Sequence, residues 1–147
     1  MLRQRTLQTM EYKLLKGNDL SNKAAPILAF NFERVVCEKV EKKRFKHLYT
    51  INKQHVHAIN QLYWKEFSIY YITFWYPGKK LDKLEEELDE LGCMYNGTIR
   101  VNNLDDFLYW FRQQSSGWYW DTDKNIVQKL YPYGQIWEEN VTQIWSN

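Results

Sequence analysis

Residues 66–80, EFSIYYITFWYPGKK, constrain the fold more than any other part of the chain. Read with a strand's period of two, Phe67, Ile69, Tyr71 and Trp75 fall on one face and Tyr70, Ile72, Phe74 and Tyr76 on the other. Both faces are apolar, so a strand here has to be covered on both sides by other layers. A bilayer does not meet that demand: a spanning helix needs about 20 apolar residues, and Pro77 and Gly78 end this run well short of that. An interior strand is expected, ahead of a membrane element or an exposed aromatic platform.

The flanking pattern supplies the cover. In GKKLDKLEEELDELG, Leu81, Leu84, Leu88 and Leu91 form one helical stripe, and Gly92 is placed to stop the helix. TIRVNN reads as a short strand, after which Asn103 caps a helix with Leu104, Phe107, Leu108 and Phe111 on its inner face. Before the central run, Asn52 caps a helix carrying Val56, Ile59 and Tyr63, with Leu62 beside them. Residues 27–51 have an ambiguous period, read here as a hairpin with arms at 35–40 and 45–51. Leu7, Met10, Leu14 and Leu15 space a first helix, and Ile136, Trp137, Val141, Ile144 and Trp145 a last one. There is no repeat or Ser/Gly-rich linker. The expectation is a single α+β domain over 1–147, with a small mixed or antiparallel sheet, its central strand near 66–76, covered by amphipathic helices.

Composition then narrows the function. At 147 residues, with 17% aromatics and a mean hydropathy of -0.66, the chain suits a folded soluble domain in the cytoplasm, large enough to need no staple. Cys37 and Cys93 make neither a CxxC site nor a disulfide framework, and read as free thiols. The abundance of Lys, Asn, Ile and Tyr, whose codons are rich in A and T, points to an AT-rich genome, such as that of a low-GC bacterium, its phages or plasmids, or an archaeal virus. No phosphate-binding glycine loop, nucleophile elbow or zinc-ligand quartet is present, so no catalytic residue, metal or cofactor is assigned.

Three surfaces compete for a role. In SSGWYWDTDKN, Trp118 and Trp120 lie on one side of an extended segment and Tyr119 on the other. With Trp137 and Trp145 they form a candidate protein-docking surface, because rigid aromatics bury much area at little entropic cost. In EKVEKKRFKHLYT, Lys42, Lys43, Arg44 and Lys46 are interleaved with Phe45 and Tyr49, a pattern that tracks phosphates and stacks on unpaired bases. The net charge of +2 gives that reading no global support. In QHVHAIN, His55 and His57 would share a metal on a strand, as in a metal-dependent nuclease, but diverge on the helix expected there.

SIYYITFWYPGKKLDKLEEELDELG resembles the strand and helix that open an RNA-recognition motif, although the glycine-aromatic second signature of that family is nowhere in the chain. The function expected from the residues is a small non-enzymatic binding protein of viral or mobile-element origin. It would dock on a protein partner through exposed aromatics, as an inhibitor of a host or defence protein. The alternatives are nucleic-acid binding through 39–49 and a nuclease using His55 and His57.

Overall fold

The run that is apolar on both faces becomes strand β4 of a parallel sheet with helices on both sides. A computed structural model describes residues 26–43, 46–65, 67–114 and 117–138. In chain order the elements are β1 (Ile27–Asn31), a π-helical turn (Phe32–Val36), β2 (Cys37–Lys43), β3 (Lys46–Ile51), α1 (Lys53–Tyr63) and β4 (Ser68–Thr73). They continue as α2 (Lys79–Glu90), β5 (Gly97–Arg100), α3 (Leu104–Arg112), β6 (Gly117–Asp121), α4 (Lys124–Lys129) and β7 (Gly134–Ile136).

The main sheet has five strands in the order β5-β4-β1-β6-β7. Every neighbouring pair runs parallel, with Ile27 opposite Ser68 on one side of β1 and Gly117 on the other. β2 and β3 form a separate antiparallel hairpin. Parallel strands joined through helices on both faces make a doubly wound α/β domain.

Side-chain alternation along β4 divides the core into two layers. Ile69 and Tyr71 join Leu28, Phe30, and the inner faces of α1 (Val56, Ile59, Leu62) and α2 (Leu81, Leu84, Leu88). Tyr70 and Ile72 join Ala29, Ile99, Tyr119 and the inner face of α3 (Phe107, Leu108, Trp110, Phe111), with Ile126 of α4. This is the two-sided cover that residues 66–80 demand. Two backbone approaches among the described residues are close enough to require glycine: a Cβ on Gly117 would stand 2.8 Å from the Ile27 carbonyl oxygen of β1, and one on Gly134 2.3 Å from the Val127 carbonyl oxygen of α4.

The expected α+β class with a small mixed or antiparallel sheet is corrected by this topology. Its physical source is β1. The five residues ILAFN are buried from the second onward, so they show neither the alternation of a half-exposed strand nor helical periodicity. Without a strand there, the strand-helix order from β4 to β6 lacks the centre around which it winds. β4 itself is the second strand of the sheet, not its middle. The parallel β4-α2-β5 unit also departs from the RNA-recognition motif that its sequence resembles.

Other expectations hold locally. Asn52 and Asn103 cap α1 and α3 by accepting the amides of His55 and Asp106, α2 ends before Gly92 at φ 73°, and β2-β3 is a hairpin as read, but its first arm is Cys37–Lys43, with Val35 and Val36 in the π-helical turn and 41–43 in the strand instead of the turn. The helix expected near 7–15 lies outside the described residues; of the last one, read from Ile136 to Trp145, Ile136 instead ends strand β7, Trp137 follows it without helical structure, and the part after Glu138 lies outside the described residues. Among the described residues, no helix is long and apolar enough to cross a membrane.

Candidate active site

The chain enters the sheet at β1, leaves it towards β4 on one side, and returns to the other side of β1 as β6. Such a reversal opens a crevice outside the carboxyl ends of the strands, the usual ligand position in this architecture. At that crevice β1 ends in Asn31, followed by Glu33 and Arg34 in the π-helical turn, β4 ends in Thr73, and β6 ends in Asp121. Asn31, Thr73 and Asp121 are fully buried.

The turn is built by Asn31, whose Oδ1 accepts the Arg34 amide at 2.9 Å. This aims the Arg34 side chain across the switch point. Its Nε donates to Asp121 Oδ1 at 2.7 Å and its Nη2 to Oδ2 at 2.9 Å. Asp121 also accepts the Tyr119 hydroxyl at 2.6 Å and the amides of Thr122 and Asp123 at 2.7 and 3.1 Å. Burial works against the charge on Arg34, but the hydrogen bonds and charge of Asp121 outweigh it and raise the guanidinium above its ordinary value. Burial, then the Asp121 carboxylate, pushes Tyr119 well up, so its hydroxyl stays a donor.

Glu33 is the second unusual group. Its Oε2 accepts the Phe74 amide at 3.0 Å, while Oε1 is buried without a hydrogen-bond partner. Burial raises its carboxyl above the usual 4.5, against the opposing pull of Thr73, Phe74 and Arg34. Burial thus favours the protonated carboxyl relative to a solvated one. Asn31 Nδ2 is likewise buried without a partner in hydrogen-bond geometry, although the amide lies near enough to Tyr119 to favour its ionised form slightly.

Glu33 and Arg34 line an open crevice of about 660 Å³ together with His55, Thr122 and an aromatic wall of Tyr49, Phe74 and Trp75. The β2-β3 hairpin forms one side of it through Cys37, Glu38, Lys39 and Tyr49. Glu87 of α2 pins the base of that hairpin by accepting the Thr50 hydroxyl at 2.6 Å and the Ile51 amide at 3.0 Å. Lys80 sits over the Trp75 ring at 3.9 Å, and Trp75 meets Tyr49 edge-on at 4.8 Å. His55 Nδ1 lies 2.8 Å from the Val35 carbonyl oxygen. A carbonyl only accepts, so Nδ1 carries the proton and Nε2 is left as an acceptor. Burial, then the carboxylates of Glu33 and Glu87, pushes the Cys37 thiol far up, which disfavours a thiolate nucleophile at the crevice.

The residues singled out from sequence fare differently. Tyr119 is buried in the sheet and Trp137 against Phe30 and His55, whereas Trp120 stacks on Phe30 at 5.0 Å. Trp118 is 37% exposed, and Trp145 lies outside the described residues. Lys42, Lys43 and Lys46 belong to the hairpin, Arg44 and Phe45 lie outside the described residues, and Tyr49 turns into the crevice wall. His55 and His57 are on helix α1, where His55 faces the crevice and His57 is exposed towards a separate groove beside Cys93. Among the described residues, no group of three or more His, Cys, Asp or Glu is placed to hold a metal. Asn31, Glu33, Arg34, Thr73 and Asp121 went unnoticed in the sequence. Their signal is a polar residue just after each short apolar run: LAFN then FER, YYIT, and WYWD.

No protein-family model matches the chain, and no curated protein matches it in sequence. Solved structures do match in fold. The 3-deoxy-D-manno-octulosonate 8-phosphate phosphatase of Moraxella catarrhalis, solved with magnesium, phosphate and KDO, aligns with a TM-score of 0.52 at 11% identity, covering 84% of each chain. A hypothetical protein of Xanthomonas campestris aligns at 0.49 and 12% identity, covering 80% of this chain and 69% of that one. A Legionella pneumophila structure described as a putative HAD superfamily hydrolase aligns at 0.46 and 12% identity, covering 72% and 61%. The expected non-enzymatic docking protein, viral inhibitor, nucleic-acid binder or His55/His57 nuclease is corrected by this likeness, in which the matching fold is that of a phosphatase. What the likeness establishes for this chain is the fold.

Proposed function

We propose that this chain is a hydrolase acting on small phosphate monoesters in the crevice between the carboxyl ends of β1 and β6. The observation that carries the reading is one crevice shared by three complementary groups. Glu33 is a buried carboxyl whose burial favours its acid form, Arg34 is a fixed guanidinium, and His55 has a basic nitrogen not bound to the Val35 carbonyl. A volume of about 660 Å³ suits a small molecule rather than a polymer. The fold shared with the Moraxella phosphatase supports the same substrate class.

Each group has a role set by its environment. Two of Arg34's N–H groups are spent on Asp121, and the Nη1 donors remain to orient phosphoryl oxygens. Asn31, at the end of the central strand, is an amide and neither acid nor nucleophile, so the attacking group is water. His55 Nε2 takes a proton from that water as its oxygen bonds to phosphorus. The bond from phosphorus to the ester oxygen breaks, and the Glu33 carboxyl, which lines the same crevice, gives its proton to the departing alcohol. Proton exchange with solvent then restores both residues. The compartment that fits is the cytoplasm, where Cys37 and Cys93 stay reduced.

The test is phosphate release from p-nitrophenyl phosphate by the purified chain. Turnover that is lost in Glu33→Gln supports the reading. No turnover above the blank, or equal rates for the two proteins, rejects it.

A further inference from the structure

The Moraxella phosphatase was solved with magnesium, and the residues at the carboxyl ends of β1 and β6 here do not fit a divalent cation. Asp121 already accepts five donors: Arg34 Nε, the Thr122 amide and the Asp123 amide on Oδ1, and Arg34 Nη2 and the Tyr119 hydroxyl on Oδ2. A carboxylate offers about four lone-pair sites, so none is left for a metal. Asn31 presents an amide whose Oδ1 is used by the Arg34 backbone and whose other atom, Nδ2, is a donor that repels a cation. Glu33 would have to lose its proton first, against its burial.

We infer that Arg34 is the resident cation of this site, supplying through its guanidinium the positive charge that a divalent metal would otherwise bring, so that a phosphate group is bound without metal. The second half rests on the phosphomonoester reading above. The first half stands on the saturation of Asp121 alone. Arg34 is held at both ends, its amide by Asn31 and its side chain by Asp121, while a third of the side chain stays open towards the crevice.

The experiment is calorimetric and needs no turnover. The wild-type chain, stripped with EDTA, is titrated with magnesium chloride alone and manganese chloride alone, and its Tm is followed in both salts. A Tm independent of either metal and no saturable binding heat are expected. Inorganic phosphate should then bind with the same affinity in EDTA as in millimolar magnesium. Arg34→Ala, which uncovers the Asp121 oxygens, should weaken phosphate by about tenfold or more and acquire a magnesium-dependent rise in Tm, abolished by adding Asp121→Asn. Saturable magnesium binding to the wild type, or phosphate binding that requires magnesium, overturns the inference. If Arg34→Ala fails to fold, the wild-type titrations decide the matter. If phosphate binds under neither condition, the hydrolase reading falls, and the magnesium titration still decides the role of Arg34.

Discussion

Arg34 and Asp121 form a bidentate ion pair, 2.7 and 2.9 Å, that joins the turn after β1 to the end of β6 across the switch point of the sheet. The pair links residues 87 apart in sequence and fixes the floor of the crevice. Arg34→Ala should cost about 1.5–3 kcal/mol, the range for hydrogen bonds to charged groups. The larger loss typical of a broken buried pair is not expected, because Arg34 is 35% exposed and Asp121 keeps Tyr119 and two amides. Arg34→Lys keeps the charge without the fork and should recover only part of the loss. Urea denaturation of the three proteins measures it.

Glu33 sets a pH dependence. Its carboxyl is raised above 4.5, chiefly by burial, so the folded state holds more protons than the unfolded state between 4.5 and the raised value. Stability is therefore full below 4.5 and declines as pH rises through that window. Glu33→Gln should remove this part of the decline and be at least as stable as wild type at neutral pH, while losing turnover. Thermal melts across pH 4 to 8 test the sign: a wild type that gains stability relative to Glu33→Gln over that window would show the carboxyl to be held ionised instead.

Much of the architecture was legible where periodicity is clean. Leu81, Leu84 and Leu88, the Asn52 and Asn103 caps, and the two apolar faces of 66–76 predicted their elements because burial on one stripe or on alternate faces leaves a repeating mark. β1 leaves no such mark: a strand buried from its second residue onward carries no period, and a parallel pairing is set by connections far away in sequence. The site was hidden for the same reason. Asn31, Glu33, Arg34 and Asp121 look like isolated polar residues until the topology brings the ends of β1 and β6 together. Exposure misled in the other direction, since Tyr119 and Trp137, read as docking anchors, are core residues.

His55 is predicted to act as a base and not as a metal ligand. Its Nδ1 is committed to the Val35 carbonyl, so His55→Gln should lower kcat by about 10²–10⁴-fold with little change in phosphate affinity. His57 lies away from the crevice, and His57→Gln should leave both unchanged. Steady-state kinetics of the two variants separate the roles.

The two tryptophans of β6 should behave differently. Trp120 stacks on Phe30 at 5.0 Å and packs against the core, so Trp120→Ala should cost about 3 kcal/mol or more. Trp118, 37% exposed, should cost about 1 kcal/mol or less when changed to Ala. Equal losses in chemical denaturation would contradict the packing of this strand.

Ile72 is fully buried in β4, flanked by β1 and β5. Ile72→Asp places an unpaired charge in a dry layer and should cost more than about 4 kcal/mol, enough to abolish folding. A soluble, cooperatively melting variant would refute the sheet order around it.

The most direct measurement of the central claim is a ¹H–¹⁵N NMR titration of the wild-type chain with inorganic phosphate in EDTA. The account predicts saturable shifts concentrated in the amides of residues 31–37, 73–75 and 121–123, which converge on the crevice between β1 and β6. Shifts confined to the opposite edge of the sheet, or none at millimolar phosphate, would contradict it.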